Sequence, residues 1–396
     1  MCSSDQDEAG VWRHAEGWAR ALGERRGVPE EADRFLEVPD VHALDGEELR
    51  RGFEAHFREM QSGRWWKVGL DPASLGRLPR EVAEAIRGCA AAERAHLPGR
   101  DEMMKFAYDA AGYIVWTQER GGARVVPLPL CRGGDAVCRE MSGLVARASG
   151  IEGASKDGWL IADGGEGFLQ VDNGLCGVAL LELHEQLKEP NLFHYGFEAA
   201  GWARAQPVVP IWVRNSHSVD LMVCAYDVSG DWHYLNSAKE KVRLGILPGQ
   251  ILRGALAGRW ADPESAGAAP HFTIVRTLAS MVEVMPHEDP DRPMIVGALR
   301  AALRARQSDF RDGRVPESNS ALDALVAVER VRLLKPDLRE FEDCGVTEAL
   351  QGYERIGAAA LRAGRAPFGA VGWGRLMELR LQGARLAVPV RRAKRK

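Results

Sequence analysis

The densest mix of chemically useful side chains in this 396-residue chain is Arg214, Asn215 and His217, all within four residues. A guanidinium clamps a carboxylate through two parallel hydrogen bonds, an amide binds a hydroxyl, and an imidazole moves protons near neutral pH. Asp172 and Asn173 form a second pair. A partly desolvated Asp172 would serve as general acid or base, its pKa raised by burial; both residue types also cap helices well, as would Asn215. A third group is Arg259, Trp260, Asp262 and His271. Trp260 offers a face for a sugar ring or a carbocation, and Asp262 with His271 would make an acid–base couple if the intervening loop folds back. Glu166 lies with Asp157, Trp159 and Asp163 in a glycine-rich stretch. Its carboxylate would pair with Asp172 across a substrate, as glycosidic hydrolysis or β-elimination needs. Trp65 and Trp66, behind Arg64, would form a binding wall for sugar or lipid. The expected catalytic set is therefore Asp172, His217, Glu166, Asp262 and His271. The expected binding set is Asn173, Arg214, Asn215, Trp159, Trp260, Trp65 and Trp66. Each has a plainer alternative as helix cap, core side chain or solvated loop residue.

Other chemistries lack their residues. Cys131 and Cys138 are separated by six residues without a paired Cys/His set, a poor match to zinc spacing. There is no phosphate-cradling glycine loop, no His-Glu-x-x-His and no Gly-x-Ser-x-Gly. Neither a metal nor an organic cofactor is expected. Cys176 lies one helical turn after Asp172 and Cys224 seven residues after His217; both read as buried thiols, with assistance to Asp172 as the alternative. A formal charge of -4 supplies no global attraction for nucleic acid or acidic membranes. No apolar run approaches the roughly 20 residues that span a bilayer. Seven dispersed cysteines and an acidic start without a leader pattern imply reduced thiols and a cytoplasmic protein. The implied partner is a small-molecule substrate; oligomeric state is left open.

The elements that must carry these residues are mainly helices. Charged and apolar residues alternate at helical intervals over residues 30–36 and 45–53, so residues 1–60 read as a helical N-terminal extension. Helices are expected from Pro79 to about Glu93, Asp101 to Gln118, Met141 to Ala148, Ser320 to Arg332 and Thr347 to Arg362, with a last segment near residues 373–381. Residues 133–173 read as a glycine-rich loop, with a helix over 141–148 and two short strands, and Gly121–Gly122 and residues 127–129 bound a short hairpin. Residues 391–396 form a basic tail, expected to be disordered from 386 onward.

Between residues 173 and 306 helical pairs dominate, broken at prolines. Two pairs are nearly parallel in sequence. Asp172-Asn173-Gly174 leads into an apolar run ending Leu183-His184-Glu185, and Arg214-Asn215-Ser216 leads into Leu221 to Asp227. In each a short polar turn and a second amphipathic segment follow. Such pairs bury their apolar faces only by closing on one another.

This grammar, with Ser229-Gly230-Asp231-Trp232-His233-Tyr234-Leu235 and Ala238, resembles the helical hairpins of α/α-toroid enzymes over residues 159–306. There an inner helix opens on Asn or Asp, a small-acidic turn ends it, and Tyr-Leu begins an outer helix. The resemblance implies an all-α fold: one α/α toroid over residues 1–396, with a few short β-hairpins in loops. Unsaturated glucuronyl hydrolases, sugar 2-epimerases, polysaccharide lyases and terpenoid dehydratase-isomerases share it. It implies a lyase, hydrolase or epimerase of a uronic acid or related carbohydrate, acting in the funnel at the inner-helix N-termini. A terpenoid cyclase or isomerase, or a non-catalytic barrel, are the alternatives. The Gln250–Leu256 stretch half-resembles the squalene-cyclase repeat, but Leu256 stands where Trp is expected, and no Asp-rich run is present. The fold hosts many reactions, so function has to be argued from the site.

Overall fold

A computed structural model describes residues 33–63, 79–122, 124–129, 151–156, 158–163, 165, 167–261, 264–265, 267–311, 313–335, 341, 344–365 and 368–386. Its long helices alternate between two layers. The inner ones are α2 (Pro79–Arg94), α4 (Phe168–Leu187), α6 (Trp212–Ser229), α8 (Ala268–Val284), α10 (Asn319–Leu334) and α12 (Ala370–Leu386). The outer ones are α1 (Gly46–Gly63), α3 (Arg100–Gly121), α5 (Pro190–Ala205), α7 (Trp232–Gly245), α9 (Arg292–Ala305) and α11 (Val346–Arg362). Each inner helix packs on the next, and α12 packs back on α2, closing the ring. Each outer helix backs one inner helix: α3 on α2, α5 on α4, α7 on α6, α9 on α8, α11 on α10, and α1 on α12. This double ring is the α/α toroid.

Local sequence explains the starts and stops. Asp45 Oδ1 accepts from Glu47 N and Glu48 N while Glu48 Oε2 accepts from Asp45 N, a reciprocal cap on α1. Caps of this kind contribute about 1 kcal/mol. Asp231 caps α7 through His233 N, and Ser318 caps α10 through Ala321 N. Gly230 ends α6 with φ 74°, a left-handed conformation that costs a glycine nothing.

Inner helices are apolar on most sides because both flanks and the back are covered. In α4, Cys176 and residues 178–181 are all buried. The α2–α12 seam is closer still: a Cβ on Gly88 would sit 2.5 Å from the Ala370 Cβ, so only glycine admits that approach.

Two small sheets are present among the described residues. β1 (Phe35–Glu37) pairs antiparallel with β5 (Arg314–Pro316), Leu36 opposite Val315. β2 (Leu128–Pro129), β3 (Ser155–Lys156) and β4 (Trp159–Leu160) form a sheet with β4 central. Asp33 reaches across to α8, accepting from Ala268 N and pairing with Arg306.

Several expectations need correction. Residues 35–37, assigned to a helix, form a strand because they pair with β5. Residues 46–63 are α1, an outer member of the ring packed on α12. Asp172 and Asn173 do not open their helix: α4 begins at Phe168 behind Gly167, whose φ is 85°. The carboxylate that caps it is Asp163, which accepts from Leu169 N at 3.0 Å. Residues 1–32, the helix expected over 141–148 and the tail from 387 lie outside the described residues. Among the described residues, no helix is long and apolar enough to cross a membrane.

Candidate active site

Two cavities lie on the ring axis, one at each end. The first, about 270 Å³, is lined by residues early in all six inner helices, among them Arg80, Glu84 and Arg87 of α2, His217 of α6, Arg276 of α8 and Asp323 of α10. Glu81, Leu175, Thr273, Asn319, Ser320 and Val371 also line it. This is the N-terminal mouth, where helix dipoles and open N–H groups favour anions. The second, about 140 Å³, is lined by residues late in the same helices, including Arg94, Glu185, Cys224, Asp227, Glu283 and Arg330. Arg276 and Asp323 line both.

Between the mouths the axis is filled with ion pairs. Arg375 reaches Glu182 at 2.7 Å, Glu378 at 3.2 Å and Asp323 at 3.6 Å. Arg87 lies 3.5 Å from Glu182 and 3.6 Å from Asp323. Arg276 pairs with Asp323 at 2.8 Å and with Asp220. Arg94 and Arg330 hold Glu378 from the other end, at 3.0 and 2.9 Å. Burial alone would raise these carboxyls, yet the arginines around Glu182, Asp323 and Glu378 hold all three below their ordinary values. They stay ionised. Burial wins at Asp220 and Glu84, which are shifted upward.

At the N-terminal mouth, Arg80 Nε holds Asp172 Oδ1 at 3.0 Å. Asp172 itself is only 1% exposed, so Arg80 is its connection to the cavity. His217 lines the cavity with Nδ1 buried and, among the described residues, without a hydrogen-bond partner. Burial first, then Arg276, Arg80 and Arg87, push its pKa down to about 3, so the ring is neutral at physiological pH. The α4 backbone lies directly behind it: a Cβ on Gly174 would be 2.5 Å from the His217 carbonyl oxygen. Glu84 is the mouth's candidate proton carrier. Desolvation raises its pKa, and Asp323 and Glu81 oppose the stabilising field of Arg87.

The other sequence candidates sit elsewhere. Asn215 is fully buried and turned toward the outer layer; its amide accepts from Val209 N and donates to Val209 O and Gly245 O. Asn173 does the same one repeat earlier, accepting from Val126 N and donating to Ala199 O. Arg214 is spent on Glu264 through a two-pronged contact at 2.7 and 2.9 Å. His271 is enclosed, with Nε2 3.1 Å from Ala302 O and rings of Trp260 and Phe272 at its edges. Trp260 donates to Ile246 O, and Trp159 packs edge-on to Trp116. None of these six lines either axial cavity. Glu166, Asp262, Trp65 and Trp66 lie outside the described residues. Burial raises the thiol pKa of Cys176 and of Cys224, which lines the second mouth. Among the described residues no group of three or more His, Cys, Asp or Glu is arranged to hold a metal ion.

Sequence reasoning missed Arg80, Glu84, Arg87, Arg276, Asp323 and Arg375. A signal existed: Arg80, Arg87 and Arg94 recur every seven residues on an otherwise Ala-rich helix.

The fold has known counterparts. A family 88 glycosyl hydrolase from Bacteroides vulgatus superposes with a TM-score of 0.55, at 12% identity, over 87% of this chain and 100% of that one. A polysaccharide lyase superposes with a TM-score of 0.54, at 11% identity, over 86% of this chain and 97% of that one. No family model matches the sequence. Nor does any curated protein match it. The class to which the chain is assigned is thus the α/α-toroid fold.

Proposed function

We propose that the N-terminal mouth is the active site of an acid–base enzyme acting on a uronic acid or a related acidic carbohydrate. The observation that carries this reading is the lining: three guanidinia, an imidazole, three carboxyls, an amide and two hydroxyls converge in one axial cavity. An isoprenoid site would instead present an almost wholly apolar wall around a carbocation, so the lining favours the carbohydrate reading. The hydrolase and the lyase that share the fold support it at the level of architecture.

In this reading Arg80, Arg87 and Arg276 bind the substrate carboxylate, and Thr273, Asn319 and Ser320 bind ring hydroxyls. Neutralising the carboxylate acidifies the adjacent C–H. His217, a free base at neutral pH, takes that proton. In β-elimination the electron pair left behind forms the C=C bond, the C–O bond to the neighbouring sugar breaks, and Glu84 protonates the departing oxygen. Epimerisation shares the first step and returns a proton to the opposite face. Hydrolysis, the second reading, uses Glu84 as acid on the glycosidic oxygen with water as nucleophile.

The test is to incubate the purified protein with saturated and unsaturated uronate oligosaccharides. Ultraviolet absorbance of the conjugated uronide is followed alongside proton NMR of the anomeric region. Absorbance appears on elimination and disappears on hydrolysis of an unsaturated end; epimerisation changes only the NMR spectrum. Unchanged absorbance and NMR with every substrate, and no binding of glucuronate, would refute the uronate reading.

A further inference from the structure

We propose that an anionic ligand entering the N-terminal mouth carries a proton in with it, taken up on the His217 imidazole. The inference rests on the reading of that mouth as the substrate site. Its basis is geometric: His217 shares one cavity of about 270 Å³ with Arg80, Arg87 and Arg276, and its buried Nδ1 has no hydrogen-bond partner among the described residues.

The groups around the ring account for its state in the empty mouth. On α2 they are Arg80, Glu81, Glu84 and Arg87; on α8, Arg276; on α10, Asp323. On α4, Asp172 is already held by Arg80, and Cys176 is buried beside them. On its own helix, Asp220 is one turn further along and paired with Arg276. Val371 is the contribution of α12. Three cations therefore act on the imidazole, and Asp172, Asp220 and Asp323 are each paired with one or more of those same cations. Burial is the larger part of the depression and the arginines the remainder.

A carboxylate bound by the three guanidinia changes the second part. It cancels positive potential and adds a negative charge of its own near the ring. Two unit charges about 6 Å apart at an effective dielectric of about 20 change a proton affinity by roughly a hundredfold. That moves half-protonation of His217 from about 3 to about pH 5. In the reaction, the imidazole is then poised as a base only once the substrate is seated. The empty enzyme holds it as a poor one.

The experiment is isothermal titration of the intact protein with glucuronate, at pH 5 and pH 7.5, in pairs of buffers with different ionisation enthalpies. We expect uptake of about half a proton per ligand at pH 5 and close to none at pH 7.5. His217→Asn should still bind glucuronate at pH 5 with uptake abolished, and neutral glucose should produce no uptake. If Glu84 or the ligand itself supplied the titration, uptake would survive in His217→Asn, and the proposal would be wrong. Binding without uptake at pH 5 overturns this inference alone; absence of glucuronate binding overturns it together with the substrate reading. Should His217→Asn fail to fold, His217→Gln takes its place, with loss or survival of the uptake deciding in the same way.

Discussion

Replacing Asn215 with alanine separates the two roles this residue could have. The structure commits its amide to three backbone groups: Val209 N at 3.0 Å, Val209 O at 2.7 Å and Gly245 O at 2.8 Å. The fit is close, since a Cβ on Gly245 would meet the Asn215 amide at 2.9 Å. Truncation leaves one buried N–H and two buried carbonyls without that partner. Each such group costs about 1–3 kcal/mol. Alanine returns roughly 0.6 kcal/mol in helix propensity, and partial relaxation reduces the rest. The net loss is about 3 kcal/mol, which for a chain of this length is a fall in Tm of roughly 4 °C. The assay is urea denaturation followed by tryptophan fluorescence, with glucuronate titration of the folded variant. We expect the midpoint to fall and affinity to stay within about twofold. A variant as stable as wild type that no longer binds would refute the outward placement of the side chain and restore Asn215 to the site.

Arg375→Met should destabilise the protein by about 3 kcal/mol, because Glu182, Asp323 and Glu378 lose a shared cation while remaining buried; the loss should shrink below about pH 4 as the carboxyls take up protons. In the wild type, folded values below the unfolded ones mean that these three carboxylates contribute stability above about pH 4.5, which declines as pH falls through their lower folded values. Urea midpoints should therefore drop on acidification below that point. Lys241 acts in the same direction at higher pH: it is buried on Gln170 Oε1 at 2.8 Å and two backbone carbonyls, with no carboxylate partner among the described residues, and burial lowers its pKa to about 7. The unfolded chain binds the extra proton between about pH 7 and 10.5, so stability should rise with pH across that window, and Lys241→Met should flatten the rise. Gly174→Val should cost about 2–3 kcal/mol through the clash with the His217 backbone, read as a lower Tm and an altered glucuronate affinity.

How much was legible follows from what each pattern reports. Helix existence was readable because prolines and glycines fall at the breaks: Pro79 in the first turn of α2, Gly230 after α6, Pro190 opening α5. The repeat was readable too, through Asn173 and Asn215. Its meaning was not. A polar residue near the start of an apolar run looks like a cap, yet Phe168 and Trp212 begin their helices four and three residues before Asp172 and Asn215 respectively. Both asparagines lie inside a helix and fasten backbone of the outer layer and adjoining loops. His271 and Trp260 were attractive because they are near in sequence, and they do touch, but in the packing between α8 and α9. Hydrophobicity marks a buried face and does not say which buried face looks inward.

The inward face was encoded in charge. Arg80, Arg87 and Arg94 on α2, Asp220 and Asp227 on α6, Arg276 and Glu283 on α8, and Asp323 and Arg330 on α10 are each seven residues apart, and every one lines an axial cavity. Seven residues are nearly two helical turns, so each set forms one stripe along its helix. On an exposed helix such a stripe would face water. Here the outer face is covered by a second ring, and the sides pack as closely as Gly88 against Ala370. The axis is the direction left for charge. Because cations and carboxylates alternate there, the stripes lock across the ring and close its middle, leaving an opening at either end. A ligand in the N-terminal mouth therefore meets Arg87, Arg276 and Asp323 as its floor, and these belong to the pairs that hold the ring together. Substitutions at that floor should lower stability and binding together, whereas Arg80 and His217, nearer the opening, are the positions where the two separate.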